Sequence, residues 1–444
     1  MSQAGIAQPQ ARSLRSHWSR RLLGFLVVAG PGIIVMIADN DAGAVSTYTQ
    51  AGAQYGTKLL WVLLLLLPVS YFVQEMVARL GIATGQGHAA MIYRRFGKWW
   101  GRFSLFDLLL VNFLTLVTEF AAISLASSKL GIRPELGVPL GAVALLFLVG
   151  TGSYRRWERM TLLLCGLDLA WFFLAWKAGP DIRAAARDTV IPALPQGGAT
   201  SGLIFLVIAI VGTTIAPWQL FFQQSCVADK RLRFADLGWA RLDTFIGAVV
   251  VVAVAGCMML VGDAFHRMGG TFEDPAQMAA ALTPVLGRTG ESLILLMMAN
   301  AALLGATAIS LSSAWAWGEV MEWRHSLQMS IADAPGFYAV YIACVALAAG
   351  LVLIPGAPLQ TIIVSVQVLA GVMLPSAIVF LQLLLNDREI LGERFVNRPW
   401  NNAVNWTVIA VLFALSLVLA VQVIAPDTLS ASPIPQPSGQ GEPQ

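Results

Sequence analysis

An apolar run near the start of the chain holds residues that such runs avoid. It reads Gly30-Pro31-Gly32-Ile33-Ile34-Val35-Met36-Ile37-Ala38-Asp39-Asn40-Asp41-Ala42-Gly43-Ala44. A charged side chain at membrane depth costs about 2.5–3.5 kcal/mol even on lenient insertion scales, so it is retained where it faces a cavity or holds a cation. A second apolar run is interrupted at Gly212-Thr213-Thr214-Ile215-Ala216-Pro217-Trp218-Gln219. Pro217 removes a backbone donor and frees carbonyls upstream, and carbonyls freed at that depth are tolerated where they line a cavity. Carboxylate and carbonyl together make an oxygen site for a hard cation. The bland alternative is a proline kink beside a snorkelling aspartate.

Other chemistries lack their parts. His17, His88, His266 and His325 fall at span ends or in loops, with no His-Glu-x-x-His motif and no nucleophile–base pair, so an intramembrane enzyme is not expected. Cys165, Cys226, Cys257 and Cys344 lie in or beside apolar stretches without a C-x-x-C and read as small core residues. No cofactor is expected. Charged residues are 12% of the 444 and hydrophobic ones 57%, against about a quarter charged in soluble domains, which excludes a soluble globular enzyme. A net charge of +3 is too small to suggest a nucleic-acid partner.

The elements that carry the two interruptions are membrane spans of about 20 apolar residues each. Polar punctuation leaves eleven, near 22–52, 57–83, 104–129, 136–153, 159–177, 202–227, 243–264, 290–318, 336–355, 360–386 and 403–425. The first follows Arg12, Arg15, Arg20 and Arg21 like a signal peptide, but no small-residue cleavage site precedes a soluble domain, so it reads as a retained helix. With the N-terminus in the cytoplasm, the inside segments collect most of the 28 Lys and Arg, as the positive-inside rule requires. That places the C-terminus outside a plasma membrane, a bacterial inner membrane. Residues 1–20 form a basic cytoplasmic tail, 21–425 the transmembrane domain, and 426–444 a Pro-, Ser- and Gln-rich tail whose composition predicts disorder. The interruptions fall in spans one and six, five apart, the sequence sign of an inverted-repeat transporter with its site at the repeat interface.

The residues then become recognisable. Gly30-Pro31-Gly32, Asp41-Ala42-Gly43, Gln50-Ala51-Gly52-Ala53-Gln54-Tyr55-Gly56 and Ala78-Arg79-Leu80-Gly81-Ile82-Ala83-Thr84-Gly85 closely resemble the Nramp family of divalent-metal transporters. The likeness returns at Gly212 to Gln219 and at Asn386-Asp387-Arg388-Glu389-Ile390-Leu391-Gly392. It implies an all-α polytopic LeuT-type fold of two inverted five-helix repeats, about 21–177 and 202–386, plus an eleventh helix at 403–425. It also implies a monomer embedded in lipid whose partner is a divalent metal substrate.

In that family the metal is held by an Asp-Pro-Gly-Asn element in the first helix and a Met-Pro-His element in the sixth. Here Asp41 keeps the aspartate, while Ala42 stands for the proline, Ala44 for the asparagine, Ala216 for the methionine and Trp218 for the histidine. The same register puts the carbonyls of Ala38 and Thr213 and the amide of Gln367 at the site. Losing a thioether removes the preference for softer metals, and Mg²⁺ is usually held by one or two carboxylates with several retained waters. Asp39 and Asn40 are expected to contact those waters. The pattern is similar to the Nramp-related magnesium transporters, so the expected substrate is Mg²⁺, with Mn²⁺ also carried. In proton-coupled relatives acids in helix three, histidines in helix six and arginines in helix nine form the proton route. Glu119 remains, Leu116 replaces its companion acid, Trp218 and Gln223 stand in histidine places, and span nine has no Arg or Lys. Uncoupled uptake is expected; a proton-coupled Mn²⁺/Fe²⁺ importer is the rival that Glu119 keeps alive. An amino-acid symporter is disfavoured, because Asp41 would repel a substrate carboxylate.

Weaker signals have structural readings. Glu75 and Arg79 are spaced for an intrahelical ion pair, Asp107 is interfacial, Asp168 is a buried structural partner, and Asn300 bonds between helices.

Overall fold

The computed structural model describes residues 24–424 apart from 196, 197, 199 and 357, so the expected tails at 1–20 and 426–444 lie outside the described residues. Every regular element among them is helical. In chain order they are α1 (Pro31–Ala38), α2 (Ala42–Tyr55), α3 (Leu60–Thr84), α4 (His88–Lys129), α5 (Pro134–Val149), α6 (Tyr154–Leu167), α7 (Ala170–Lys177), α8 (Ile182–Val190), α9 (Ser201–Thr214), α10 (Pro217–Asp229), α11 (Leu237–Arg267), α12 (Pro275–Ala281), α13 (Thr283–Val320), α14 (Pro335–Val352), α15 (Leu359–Leu385), α16 (Arg388–Phe395) and α17 (Pro399–Ile424).

Each expected span meets one of these helices or helix pairs. Spans one and six are broken where the sequence breaks them: α1 stops at Ala38 and α2 restarts at Ala42, and α9 stops at Thr214 before α10 begins at Pro217. Pro31 and Pro217 occupy first helical positions, where a missing N–H and a fixed φ favour a helix start. Three features differ from expectation. Span five is two helices, α6 and α7, joined through Asp168 and Leu169 by long i→i+3 bonds of 3.3 Å. Span three is the last part of α4, whose chain turns at Gly97 with φ 84°. The two long connecting loops at 178–200 and 268–282 carry the short helices α8 and α12.

Burial separates scaffold from shell. In the broken sixth span 83% of the most apolar window is covered, against 17% in α17, so the broken helices form the centre and α17 lies outermost. Leu140, Phe147, Leu163, Leu347 and Leu417 stay exposed on outer faces, which an aqueous protein would not sustain in such numbers and a lipid surround requires.

Candidate metal site

The first break is shaped by local capping. Asp41 is extended (φ −69°, ψ −172°), and its Oδ1 accepts from the Ala44 backbone N–H at 2.9 Å, so this carboxylate caps α2. Glu119, on α4, accepts the Ala42 N–H on Oε2 at 3.1 Å. That donor exists because residue 42 is alanine; a proline would have none. In an unbroken helix the Ala42 N–H would bond the Ala38 carbonyl, and its diversion to Glu119 leaves that carbonyl without its helical donor. At the second break Pro217 stands four residues after Thr213, so the Thr213 carbonyl loses its donor by chemistry. Both carbonyls expected from the resemblance are therefore without their i+4 donors.

Side chains complete a sealed oxygen cluster. Asp39 and Asp41 are 1% and 2% exposed, and no donor reaches either oxygen of Asp39 in good hydrogen-bond geometry among the described residues, the Gln219 amide being the one that lies beside it. The Asn40 Oδ1 and Thr213 hydroxyl are likewise buried without partners, while the Asn40 amide donates to the Val251 carbonyl at 3.3 Å. Gln367 lies against Gly43, where an added Cβ would overlap its amide, and its Nε2 is unpartnered. Gly305 of α13 lets that helix approach both acids: a Cβ there would sit 2.7 Å from the Asp41 Cβ and 2.9 Å from the Glu119 Cδ. Ala38, Ala44 and Ala216 are buried and bring only methyl groups. A buried polar atom left unpaired costs about 1–3 kcal/mol, so the unpaired oxygens around the first helix break are held there at a cost in stability. No group of three or more His, Cys, Asp and Glu side chains with the geometry to hold a metal ion occurs among the described residues; the unpaired side-chain oxygens at the breaks are carboxylate, amide and hydroxyl oxygens.

The remaining expected positions have other employment. The Trp218 indole packs in an aromatic cluster, 5.9 Å from the Phe222 ring, which itself meets Trp157 and Trp315. Its carbonyl accepts from the Ser312 hydroxyl at 3.1 Å. Gln223 donates to the Thr244 hydroxyl at 3.1 Å. Asp168 accepts from Asn300 at 2.8 Å, and Asp107 accepts from Ser376 at 2.6 Å. The Glu75–Arg79 pair is present at 3.3 Å, with Arg241 joining Glu75 at 2.8 Å.

Two features escaped sequence reading. Asp243, on α11, accepts the N–H groups of Gly30 at 3.0 Å and Gly32 at 2.6 Å and so caps α1; the only local signal was a helix start at Pro31 without a capping side chain of its own. Gln74 donates to Gln219 at 2.8 Å, tying α3 to α10 two residues beyond Pro217. Gln219 lay within the recognised motif, but no spacing announced its partner 145 residues away.

The profile of the family described as "Nramp: Natural resistance-associated macrophage protein-like" matches residues 32–422. A Staphylococcus aureus protein named divalent metal cation transporter MntH is 25% identical, covering 91% of this chain and 93% of its own length. Among solved structures, the Eremococcus coleocola manganese transporter in complex with an aromatic bis-isothiourea substituted compound gives a TM-score of 0.75 at 18% identity, covering 96% of this chain and 91% of that one. The nucleobase-cation-symport-1 family transporter MHP1, in a closed conformation, gives 0.51 at 14% identity, covering 90% and 91%. Those likenesses fix the fold as the LeuT type expected.

Proposed function

The chain belongs to the Nramp family, and from that premise we propose that it imports a largely hydrated divalent metal ion, Mg²⁺ before Mn²⁺, by alternating access and without proton coupling. The metal is the substrate, carried across a plasma membrane by a monomer with its N-terminus in the cytoplasm, and rocking of repeats at about 21–177 and 202–386 alternates access. The relative named a divalent metal cation transporter supports the cargo class. The observation that carries the reading is the donor set at the two breaks. Asp41, the carbonyls of Ala38 and Thr213 and the Gln367 amide oxygen are all hard donors, and Ala44 and Ala216 leave room where the family's pattern has an asparagine and a thioether. Such a site favours an ion that keeps its waters. Asp39 has both oxygens open and supplies a second carboxylate to those waters or to the metal.

Absence of coupling rests on Glu119. Its Oε2 holds the α2 N-terminus through Ala42, a fixed structural task that protonation would disturb, and α14 offers no basic side chain for a relay. The second reading, a proton-coupled Mn²⁺/Fe²⁺ importer, draws on the other oxygen, because Glu119 Oε1 is buried and unpartnered beside Asp41.

The test is Mg²⁺ influx into proteoliposomes. Wild-type protein is expected to carry Mg²⁺, with Mn²⁺ competing, and Asp41→Ala to reduce influx at least about a hundredfold, the loss of about 2.8 kcal/mol of binding. Influx that survives Asp41→Ala, or Mn²⁺ influx that Mg²⁺ cannot reduce, overturns the assignment.

A further inference from the structure

At the end of the bundle that carries Arg79 and Arg241, a cavity of about 520 Å³ opens between α3, the start of α11 and the start of α17. Its floor is a shared ion pair. The Glu75 carboxylate receives Arg79 at 3.3 Å and Arg241 at 2.8 Å. Arg79 also donates to the Phe395 carbonyl and, at 2.7 Å, to the Asn397 side chain, and Asn397 in turn donates to Gln382 at 3.1 Å. The segment joining α16 to α17 is thereby pinned as one wall. Arg398 lines the rim, is exposed, and forms no ion pair among the described residues. Three guanidiniums thus face one carboxylate, and the Arg241 side chain is 47% exposed.

The opposite wall is aromatic. Phe72 meets Trp400 edge-on at 5.5 Å, and Tyr71 meets Phe245 at 5.6 Å. Phe245, itself 47% exposed, carries the apolar surface out of the cavity along α11. A small soluble anion would use only the guanidiniums, and a neutral lipid only the rings. A molecule with an anionic head and an apolar tail uses both. Basic pockets between spanning helices at a membrane face suit such headgroups, guanidinium matches phosphate with paired N–H donors, and Trp and Tyr sit naturally at headgroup level.

We propose that this cavity binds an anionic phospholipid, its phosphate held by Arg241 and Arg398 and its acyl chain lying over Tyr71, Phe72 and Phe245. The first turns of α11 that carry Arg241 also carry Asp243, which caps the broken helix at Gly30 and Gly32. A headgroup on Arg241 therefore braces the helix end that positions α1. This reading does not depend on which metal is carried.

The experiment uses full-length protein stripped of lipid in neutral detergent and titrated separately with phosphatidylglycerol, phosphatidylcholine and inorganic phosphate, followed by thermal unfolding and native mass spectrometry. Phosphatidylglycerol is expected to remain bound and raise Tm while phosphatidylcholine does neither, with affinity falling as salt rises. Arg241→Gln and Arg398→Gln are each expected to weaken phosphatidylglycerol binding about fivefold. Arg398→Gln alone suffices if Arg241→Gln fails to fold, since Arg398 forms no ion pair that the change would orphan among the described residues. Equal stabilisation by phosphatidylcholine, the same shift from inorganic phosphate, or retention unchanged in Arg398→Gln would overturn the proposal.

Discussion

Two regions of this molecule bury carboxylates and treat them oppositely. At the cytoplasmic end of the proposed orientation, Glu75 is shared by two arginines, Glu158 receives Lys230 at 2.6 Å, and Asp243 takes backbone N–H groups of α1. At the helix break, Asp39 has no partner on either oxygen, and Glu119 has one on only one. Burying a charge is tolerated when it is paired and hydrogen-bonded, and costly otherwise. The paired acids therefore hold the scaffold together, and under the proposed function the unpaired ones at the break mark where the fold gives up stability for a cargo that is not always present.

That contrast can be broken by exchanging stability and transport effects. Glu75→Gln leaves a buried guanidinium without its charge partner, and breaking such a pair costs about 3–5 kcal/mol. Thermal unfolding is expected to show that loss, while Mg²⁺ flux per folded molecule changes less than twofold. Asp39→Asn should do the reverse, raising Tm because an unpaired buried charge is removed and lowering flux by about tenfold, or about 1.4 kcal/mol. If both variants lose stability alike, the division between scaffold and site fails. A smaller effect sharpens the role of Glu119. Ala42→Pro suits a first helical position but removes the N–H that Glu119 holds, at a cost of about 1–3 kcal/mol for the orphaned oxygen. Flux in that variant should become pH-dependent; a flat pH profile would mean the Ala42 contact does not silence Glu119.

The smallest effect concerns the contact that α8 makes with the turn before α3. Burial alone would push the Asp188 carboxyl up, but hydrogen bonds from Thr57, Lys58 and Arg187 outweigh it and hold the group below its ordinary range. A carboxylate depressed in the folded state adds stability above its unfolded pKa and loses it as pH falls through the folded one. Acid titration of Tm should therefore show a slope below the ordinary carboxylate range that Asp188→Asn flattens, worth under about 1 kcal/mol because Lys58 and Arg187 are partly exposed. An unchanged slope would remove α8 from the set of paired acids.

Much of this was legible in the sequence for a physical reason. Asp39, Asn40, Asp41 and Pro217 violate the apolar pattern locally, and local violations need no partner to be read. The eleven spans follow from composition, and the missing donor at Thr213 follows from Pro217, whereas the Ala38 carbonyl was expected only from the family resemblance and its missing donor shows only in the contact between Ala42 and Glu119. What the sequence hid depends on distant chain. Asp243 caps a helix more than 200 residues earlier, Gln74 meets Gln219 across the bundle, and the second arginine on Glu75 comes from another helix. The break at Asp168 was hidden for a different reason, since no proline marks it and Gly166 alone does not end a helix; one oxygen of its carboxylate accepts from Asn300 and the other is buried without a partner among the described residues. Asp39 was read as a helper to Asp41, because only the packed structure shows that Asp41 is occupied in capping while Asp39 is open.

Carriage of Mg²⁺ without protons through an all-oxygen site is the proposal from which the other expectations follow. It is tested most directly in proteoliposomes holding both a Mg²⁺ indicator and a pH dye, with an inward Mg²⁺ gradient and potential clamped. Luminal Mg²⁺ is expected to rise at a rate independent of a pH gradient and with no acidification. Acidification that rises in step with metal influx and disappears in Glu119→Gln would contradict it.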